Sequence, residues 1–112
     1  MFPITGGAVT GPGICGHILP GGADFAQRLP DGAYAIEARY CLMLDDGTPL
    51  MITNAGRMQP MPDDSFQGRT RAVIEAPAGP HGWLSDAVLF GTAWAEPGDE
   101  ARVFIELWQA VI

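Results

Sequence analysis

The sequence has few cationic residues, six Lys and Arg against thirteen Asp and Glu, so the 112-residue chain carries a formal charge of −7. A field of this sign repels phosphate backbones and anionic lipid headgroups, which makes nucleic acid and membrane surfaces unfavourable partners. Long apolar runs and a basic N-terminal start are also lacking, so we expect neither a transmembrane helix nor a signal peptide. We therefore predict a cytoplasmic protein that binds neither nucleic acid nor membrane.

Motifs for metals, cofactors and nucleophilic catalysis are lacking as well. Cys15 and His17 would share one face of a strand, but without a second Cys or His pair this spacing is a weak metal signal. In a reducing compartment, Cys15 and Cys41 are expected to be free thiols. Neither histidine has a nucleophile at a recognisable spacing, so a serine or cysteine hydrolase is not supported. We predict no metal and no cofactor.

Helical spacing of apolar residues is absent, whereas alternation with a period of two recurs between turns. The 15 Gly and 10 Pro supply those turns, and a hydrophobic share of 47% is too high for a disordered chain. The pattern predicts one all-β domain, residues 1–112, with about 7–9 antiparallel strands. A barrel is favoured over a sandwich because closure removes exposed edges.

The longest predicted strand runs from Ala33 to Leu44 and is followed by Asp46-Gly47, a strong hairpin signal. Its two faces are Tyr34, Ile36, Ala38, Tyr40, Leu42 and Leu44 on one side, and Ala33, Ala35, Glu37, Arg39, Cys41 and Met43 on the other. If the loop is those two residues alone, Arg39 faces Asn54 on the strand from Thr48 to Arg57. A three-residue loop with a bulge would shift this register by one residue and move Asn54 to the other face.

The block from Leu19 to Asp24, Leu-Pro-Gly-Gly-Ala-Asp, can only form an irregular corner, because Pro lacks an amide donor and the two Gly open unusual backbone conformations. It belongs to a wider pattern that also contains Gly6-Gly7, Gly11-Pro12, Gly16, Asp31-Gly32, Arg39-Tyr40, Asp46-Gly47, Asn54, Gly56, Glu75, Trp83-Leu84 and Gly91. Almost end to end, the sequence resembles the family catalogued as domain of unknown function 3237. The resemblance implies a small antiparallel, lipocalin-like β-barrel in a bacterial cytoplasmic protein with no settled activity.

The sequence departs from the family pattern in two respects. Members begin with a further N-terminal stretch, so a strand is expected to be missing here and the barrel to be partly open. An open edge leaves unpaired amides and carbonyls that a second copy would satisfy, so we expect a homodimer. Members also tend to carry Trp at the position of Phe25 and Asn at that of Ser85, so if those side chains contact a ligand, this protein would bind a different one or none.

Glu37 and Arg39 are the central candidates for a site, because a barrel of about eight strands has room for one small ligand. In an internal pocket, Arg39 would anchor a carboxylate or carbonyl oxygen. Glu37, with its pKa raised by desolvation, would be the catalytic acid or base. Asn54 would orient the substrate, and Asp24 or Glu75 would complete an acid pair.

An alternative interpretation makes the apolar face of the longest strand the core. Glu37 and Arg39 would then form a solvated ion pair that contributes ~0 to 1 kcal/mol, and Asp24 would bond backbone amides in its corner. Trp83 would either plug a barrel end or stack on a ligand, and it is included as a binding candidate. Three functions remain open: an acid-base enzyme acting on a small organic acid or carbonyl compound, a non-catalytic carrier of an apolar small molecule, and a structural dimer subunit.

Overall fold

The strands of the protein form one antiparallel sheet in a computed structural model that describes residues 1–11, 13–99 and 101–111. The described residues form nine strands: β1 (Phe2–Ile4), β2 (Gly7–Gly11), β3 (Ile14–Ile18), β4 (Gly22–Arg28), β5 (Tyr34–Leu44), β6 (Pro49–Pro60), β7 (Phe66–Glu75), β8 (Leu89–Ala95) and β9 (Phe104–Gln109). A short 3-10 helix, Gly82–Ser85, lies between β7 and β8. The all-β prediction is confirmed; Pro12, part of the quoted family pattern, lies outside the described residues.

Strand β5 organises the sheet because it has partners along both of its edges. One edge pairs with β6, and the other pairs first with β4 and then, beyond Tyr40, with β3. Across the sheet, the strands lie in the order β1-β4-β5-β6-β7-β8-β9. Outside this order, β2 pairs with β3. Among the described residues β9 does not pair with β1 or β2, so the sheet is open at that edge.

The inner face of the sheet encloses a single apolar core. Its buried members are Ala38, Tyr40, Leu42, Leu44, Leu50, Ile52, Ala72, Ile74, Leu84 and Leu89. Partly buried side chains from the outlying strands pack against the same cluster, among them Ile4, Val9, Ile18 and Leu107. Because both ends of the open sheet contribute to one core, the sheet curls into a barrel-like shape. The face of β5 that holds Tyr34, Ile36 and Tyr40 therefore points inward.

The hairpin between β5 and β6 has a three-residue loop, Asp45 to Gly47, instead of two residues. The Leu44 amide donates to the Thr48 carbonyl at 2.9 Å, and the Gly47 amide donates to the Leu44 carbonyl at 2.9 Å. Gly47 has a φ of 86°, the left-handed conformation that completes such a bulged turn. The register is shifted by one residue, and Ala38, not Arg39, lies opposite Asn54. The pairing predicted from a two-residue loop is wrong, and the three-residue alternative is the observed one.

The corner from Leu19 to Asp24 carries the chain from β3 to β4 along the same edge of β5. The Leu19 amide donates to the Cys41 carbonyl at 2.9 Å, and the Gly21 amide donates to the Ile4 carbonyl at 3.2 Å. Gly22 lies directly against β5: a Cβ at this position would be 2.5 Å from the Arg39 carbonyl oxygen and 2.8 Å from the Tyr40 Cβ. The second glycine of the block is therefore required by close packing.

We expect Gly22→Ala to lower the free energy of unfolding by about 1–3 kcal/mol, because the added methyl group forces the corner away from β5. Urea unfolding measures the change. Gly11→Ala is the matched control, since a Cβ at Gly11 meets no atom within 4 Å. The control should differ from the parent chain by no more than about 0.5 kcal/mol, and equal effects of the two substitutions would contradict the packing argument.

The homodimer predicted from an open edge stays a prediction. Among the described residues β1, β2 and β9 each have a strand neighbour on one side only, so the sheet has more than one exposed edge. No helix of the described chain has both the length and the apolar character needed to span a membrane.

Candidate functional site

Glu37 and Arg39 lie on the outer face of the sheet. The Arg39 Nη2 atom is 3.2 Å from the Glu37 Oε1 atom, and 65% of the Arg39 side chain and 45% of the Glu37 side chain are exposed. The prediction that the pair points inward is wrong, because the apolar residues that alternate with it form the core. The pair is the solvated ion pair of the alternative interpretation, and any role for it in binding or catalysis stays a prediction.

We expect Arg39→Ala to change the free energy of unfolding by less than ~1 kcal/mol, because an exposed ion pair gains little over hydrated charges. Urea unfolding at low and high salt gives the measurement. A loss of ~3 to 5 kcal/mol, typical of a buried pair that has lost one partner, would contradict the outer position of Arg39.

Asp24 and Asn54 lie on the inner face, on either side of β5. Both are paired with Ala38, Asp24 from β4 and Asn54 from β6, so the two side chains project from the same row of the sheet. Their backbones are two strand spacings apart, about 10 Å, with only the Ala38 methyl group between them. The structure thus brings together two of the predicted site residues, on the opposite face from Glu37 and Arg39.

Two further polar side chains, Tyr40 and Thr70, complete this inner polar cluster, which we define as Asp24, Tyr40, Asn54 and Thr70. Tyr40 follows Ala38 on the inward face of β5, diagonal to both Asp24 and Asn54. Thr70 lies on β7, diagonal to Asn54. The alternation of β5 places Tyr40 inside. Thr70 was missed because the alternation of its strand puts it on one face with Ala72 and Ile74, where a single threonine gives no signal of a site.

Three atoms of the inner polar cluster are buried without a hydrogen-bond partner in the part of the chain that the structure describes. They are the Asp24 Oδ1, Asn54 Oδ1 and Thr70 Oγ1 atoms. Asn54 is 2% exposed and Thr70 is 6% exposed, whereas Asp24 is half-buried. Unpartnered buried polar groups are uncommon in native proteins, and each calls for a physical explanation. Here all three atoms are on one face: Asp24 and Asn54 are in the row of Ala38, and Thr70 is in the next row.

The electrostatic environment of the cluster favours neutral side chains. Burial raises the pKa of the Asp24 carboxyl above its ordinary value, and the positive charge of the N-terminal ammonium group opposes this only in part. Burial, followed by the nearby Asp24 carboxylate, raises the pKa of Tyr40 to about 12. Tyr40 is therefore a neutral hydroxyl at all ordinary pH values, and Asp24 holds its proton more tightly than an exposed aspartate does.

The raised pKa of Asp24 makes folding stability depend on pH. Above the ordinary value of 3.8 the folded state holds a proton that the unfolded state has released. The stability of the parent chain therefore falls as pH rises through this window. Asn does not titrate, so we expect the stability of Asp24→Asn relative to the parent to increase with pH above 3.8 and then level off.

Urea unfolding from pH 4 to 8 tests this expectation, with Asp63→Asn as the control. The Ser65 hydroxyl and amide lower the pKa of Asp63, so its effect on stability is lost as pH falls below 3.8. Above pH 4 the relative stability of the Asp63→Asn variant should be flat. A flat profile for Asp24→Asn as well would contradict the desolvation of that carboxyl.

Glu75 and Trp83 lie apart from the inner polar cluster. Glu75 ends β7 on the outer face, opposite Met51, and is exposed. Trp83 is in the 3-10 helix with 46% of its surface exposed, whereas the adjacent Leu84 packs into the core. The structure does not bring either residue to Asp24, and their roles in binding stay predictions.

A histidine-carboxylate contact fastens the 3-10 helix region to the β5–β6 hairpin. The His81 Nε2 atom is 2.7 Å from the Asp46 Oδ2 atom. This contact, with hydrogen bonds from Thr48, lowers the pKa of Asp46 to about 2.

Cys15 and Cys41 are free thiols. Within the described residues, no three His, Cys, Asp or Glu side chains are close enough together to hold a metal ion.

The fold and the inner polar cluster define a small barrel-like antiparallel β protein with a desolvated carboxyl on its inner face. The chain belongs to the family described as Protein of unknown function (DUF3237), whose model matches residues 1–110. This confirms the resemblance inferred from the Leu19 to Asp24 block and its accompanying motifs.

Three proteins illustrate the similarity. A UPF0311 protein of Rhodopseudomonas palustris is 32% identical over 124 residues, which cover 99% of this chain and 79% of that protein. A crystal structure of the conserved protein of unknown function from the same organism superimposes with a TM-score of 0.82 at 32% identity, covering 96% of this chain and 78% of the other. The crystal structure of a beta-barrel like protein from Acinetobacter baumannii gives a TM-score of 0.84 at 24% identity, over 96% of this chain and 74% of that one.

A fourth protein has an activity in its name. The "Hydroalkoxylation enzyme" of Penicillium herquei is 24% identical over 107 residues, which cover 95% of this chain and 62% of the fungal protein. This chain thus spans less than two thirds of that relative.

Proposed function

We propose that the protein is an acid-base enzyme in which Asp24 is the proton donor and acceptor. The observation that carries the proposal is the buried Asp24 Oδ1 atom, which has no hydrogen-bond partner among the described residues and belongs to a carboxyl group whose pKa is raised by desolvation. A general acid is most effective when its pKa lies near the working pH, and burial is a common means of raising an aspartate toward it. The acid-base role that the sequence analysis gave to Glu37, an exposed carboxylate on the outer face, is thus assigned to Asp24 on the inner face.

We propose further that the substrate carries a hydroxyl group and a carbon-carbon double bond. Hydroalkoxylation is the addition of an O–H group across such a bond, and the fungal relative that bears this name matches nearly all of this chain. In the proposed step, the Asp24 carboxyl gives its proton to one alkene carbon and the hydroxyl oxygen forms a bond to the other. The hydroxyl proton then passes to the Asp24 carboxylate, so the acid is regenerated and no oxidant or reductant is consumed.

The other members of the inner polar cluster suit this step. The Asn54 Oδ1 atom is an acceptor without a partner among the described residues, so it can bind and orient the substrate hydroxyl. Tyr40, with a pKa of about 12, stays a neutral hydrogen-bond donor near Asp24. Asp24 itself is half-buried and lies opposite Phe2 of the three-residue β1, a residue that is 64% exposed.

A neutral substrate suits this face better than the organic acid first predicted. That prediction depended on Arg39 as an anion anchor, and Arg39 is on the outer face. An anionic substrate at Asp24 would lie beside a carboxyl with the N-terminal ammonium group to offset only part of the charge, and burying an incompletely paired ion costs several kcal/mol. A hydroxyl group only needs hydrogen-bond partners, and the cluster offers them.

We expect Asp24→Asn to abolish cyclisation of ortho-alkenylphenols, because Asn cannot give up a proton. Product formation followed by chromatography gives the rate, and thermal unfolding verifies that the variant is folded. In the parent chain the rate should fall as pH rises through the raised pKa of Asp24.

Glu37→Gln is the matched control, because it makes the same type of change on the outer face of the adjacent strand. It should leave the rate within about two-fold of the parent, as expected of an exposed surface substitution. Loss of activity in Glu37→Gln with retention in Asp24→Asn would overturn the assignment. Binding of the phenols without any turnover would favour the non-catalytic carrier.

A further inference from the structure

The outer face of β6, β7 and β8 bears a groove that plays no part in the proposed function. Its volume is about 830 Å³, and its polar and aromatic lining consists mainly of Arg57, Gln59, Gln67, Arg69, Arg71 and Trp94. The size falls within the ~300–1,000 Å³ typical of small-molecule sites. We propose that this groove binds a planar aromatic carboxylate, held by Arg69 and Arg71 and stacked against Trp94.

The groove is cationic although the chain as a whole is acidic. The protein has six Lys and Arg in total and a formal charge of −7, yet three of those cations line this groove. Arg57 and Arg69 are directly opposite each other on β6 and β7. Like charges opposed in this way destabilise a sheet, and a bound anion would relieve the repulsion.

Two of the three arginines have guanidinium groups that pair with no carboxylate among the described residues. Arg57 is occupied by Asp31, whose Oδ2 atom is 2.9 Å from the Arg57 Nη2 atom. Arg69 and Arg71 form no ion pair with any residue that the structure describes. On the same face, Glu106 lies two strands from Arg69, beyond Thr92. Glu37 lies two strands from Arg71, beyond Ala55, and pairs with Arg39. The groove therefore presents two planar forks of the geometry that carboxylates bind.

Trp94 supplies a flat apolar wall beside these cations. It lies opposite Gln67 on β7, and its ring stacks on Phe104 with a centroid distance of 4.3 Å. The stacking holds the half-buried indole ring in place, so its remaining surface is a preformed contact for an aromatic ligand. An aromatic carboxylate matches both features, whereas an aliphatic anion matches only the arginines and a neutral aromatic only the indole.

Isothermal titration with 2-naphthoate tests the proposal, with 2-naphthamide as the neutral counterpart. We expect the parent chain to bind naphthoate at least about ten-fold more tightly than naphthamide, because the amide cannot form the charge-assisted pairs. The double substitution Arg69→Gln, Arg71→Gln should weaken naphthoate binding by a similar factor. Binding of naphthoate should also weaken as salt is raised.

Arg39→Gln is the control, since it removes an exposed arginine that does not line the groove. It should leave naphthoate affinity unchanged, and thermal unfolding should be similar for all three proteins. Equal binding of naphthoate and naphthamide would overturn the proposal. So would an unchanged affinity in the double variant, or no binding of naphthoate at millimolar concentration by the parent chain. None of these outcomes bears on Asp24, because the groove is on the opposite face.

Discussion

The pairing register of β5 and β6 decides the chemistry of both faces of this sheet. Side chains alternate across a strand, so a slip of one residue would exchange the faces of the whole of β6. The register is that of a three-residue turn, in which Gly47 has a φ of 86° and the Leu44 amide donates to the Thr48 carbonyl. It turns Leu50 and Ile52 toward the core, and the same alternation brings Asn54 inside and Arg57 outside.

The inner polar cluster lowers the stability of a fold that otherwise has an apolar core. A buried polar group without a partner costs about 1–3 kcal/mol, and three such atoms belong to Asp24, Asn54 and Thr70. This is a large amount compared with the net stability of a small domain, which is about 5–15 kcal/mol. Sites that bind polar substrates share this property, because the groups that receive the substrate must be desolvated before it arrives.

The two faces of the sheet place opposite charges in different dielectric environments. On the inner face, burial raises the pKa of the Asp24 carboxyl above its ordinary value. On the outer face, solvent lets Arg57, Arg69 and Arg71 remain close together despite their mutual repulsion, because water weakens the interaction between like charges. Thr70 is on one side of β7 and its neighbours Arg69 and Arg71 are on the other, so a single strand contributes to both surfaces.

Much of the fold could be predicted from local patterns. Alternation with a period of two and the Gly and Pro turns determined the strands, because these properties depend on neighbouring residues alone. The Leu19 to Asp24 corner identified the family for the same reason, since Gly22 is required wherever that corner crosses β5.

The site was decided by tertiary structure. Asp46-Gly47 is compatible with loops of two or three residues, and only the packing of the β5–β6 pair against the core selects between them. Glu37 and Arg39 looked like an internal pair because their face also carries Cys41 and Met43, but the opposite face of β5 is more apolar and takes the interior. Burial of Asp24, the property on which its chemistry depends, arises from strands distant in sequence, and no local pattern specifies it.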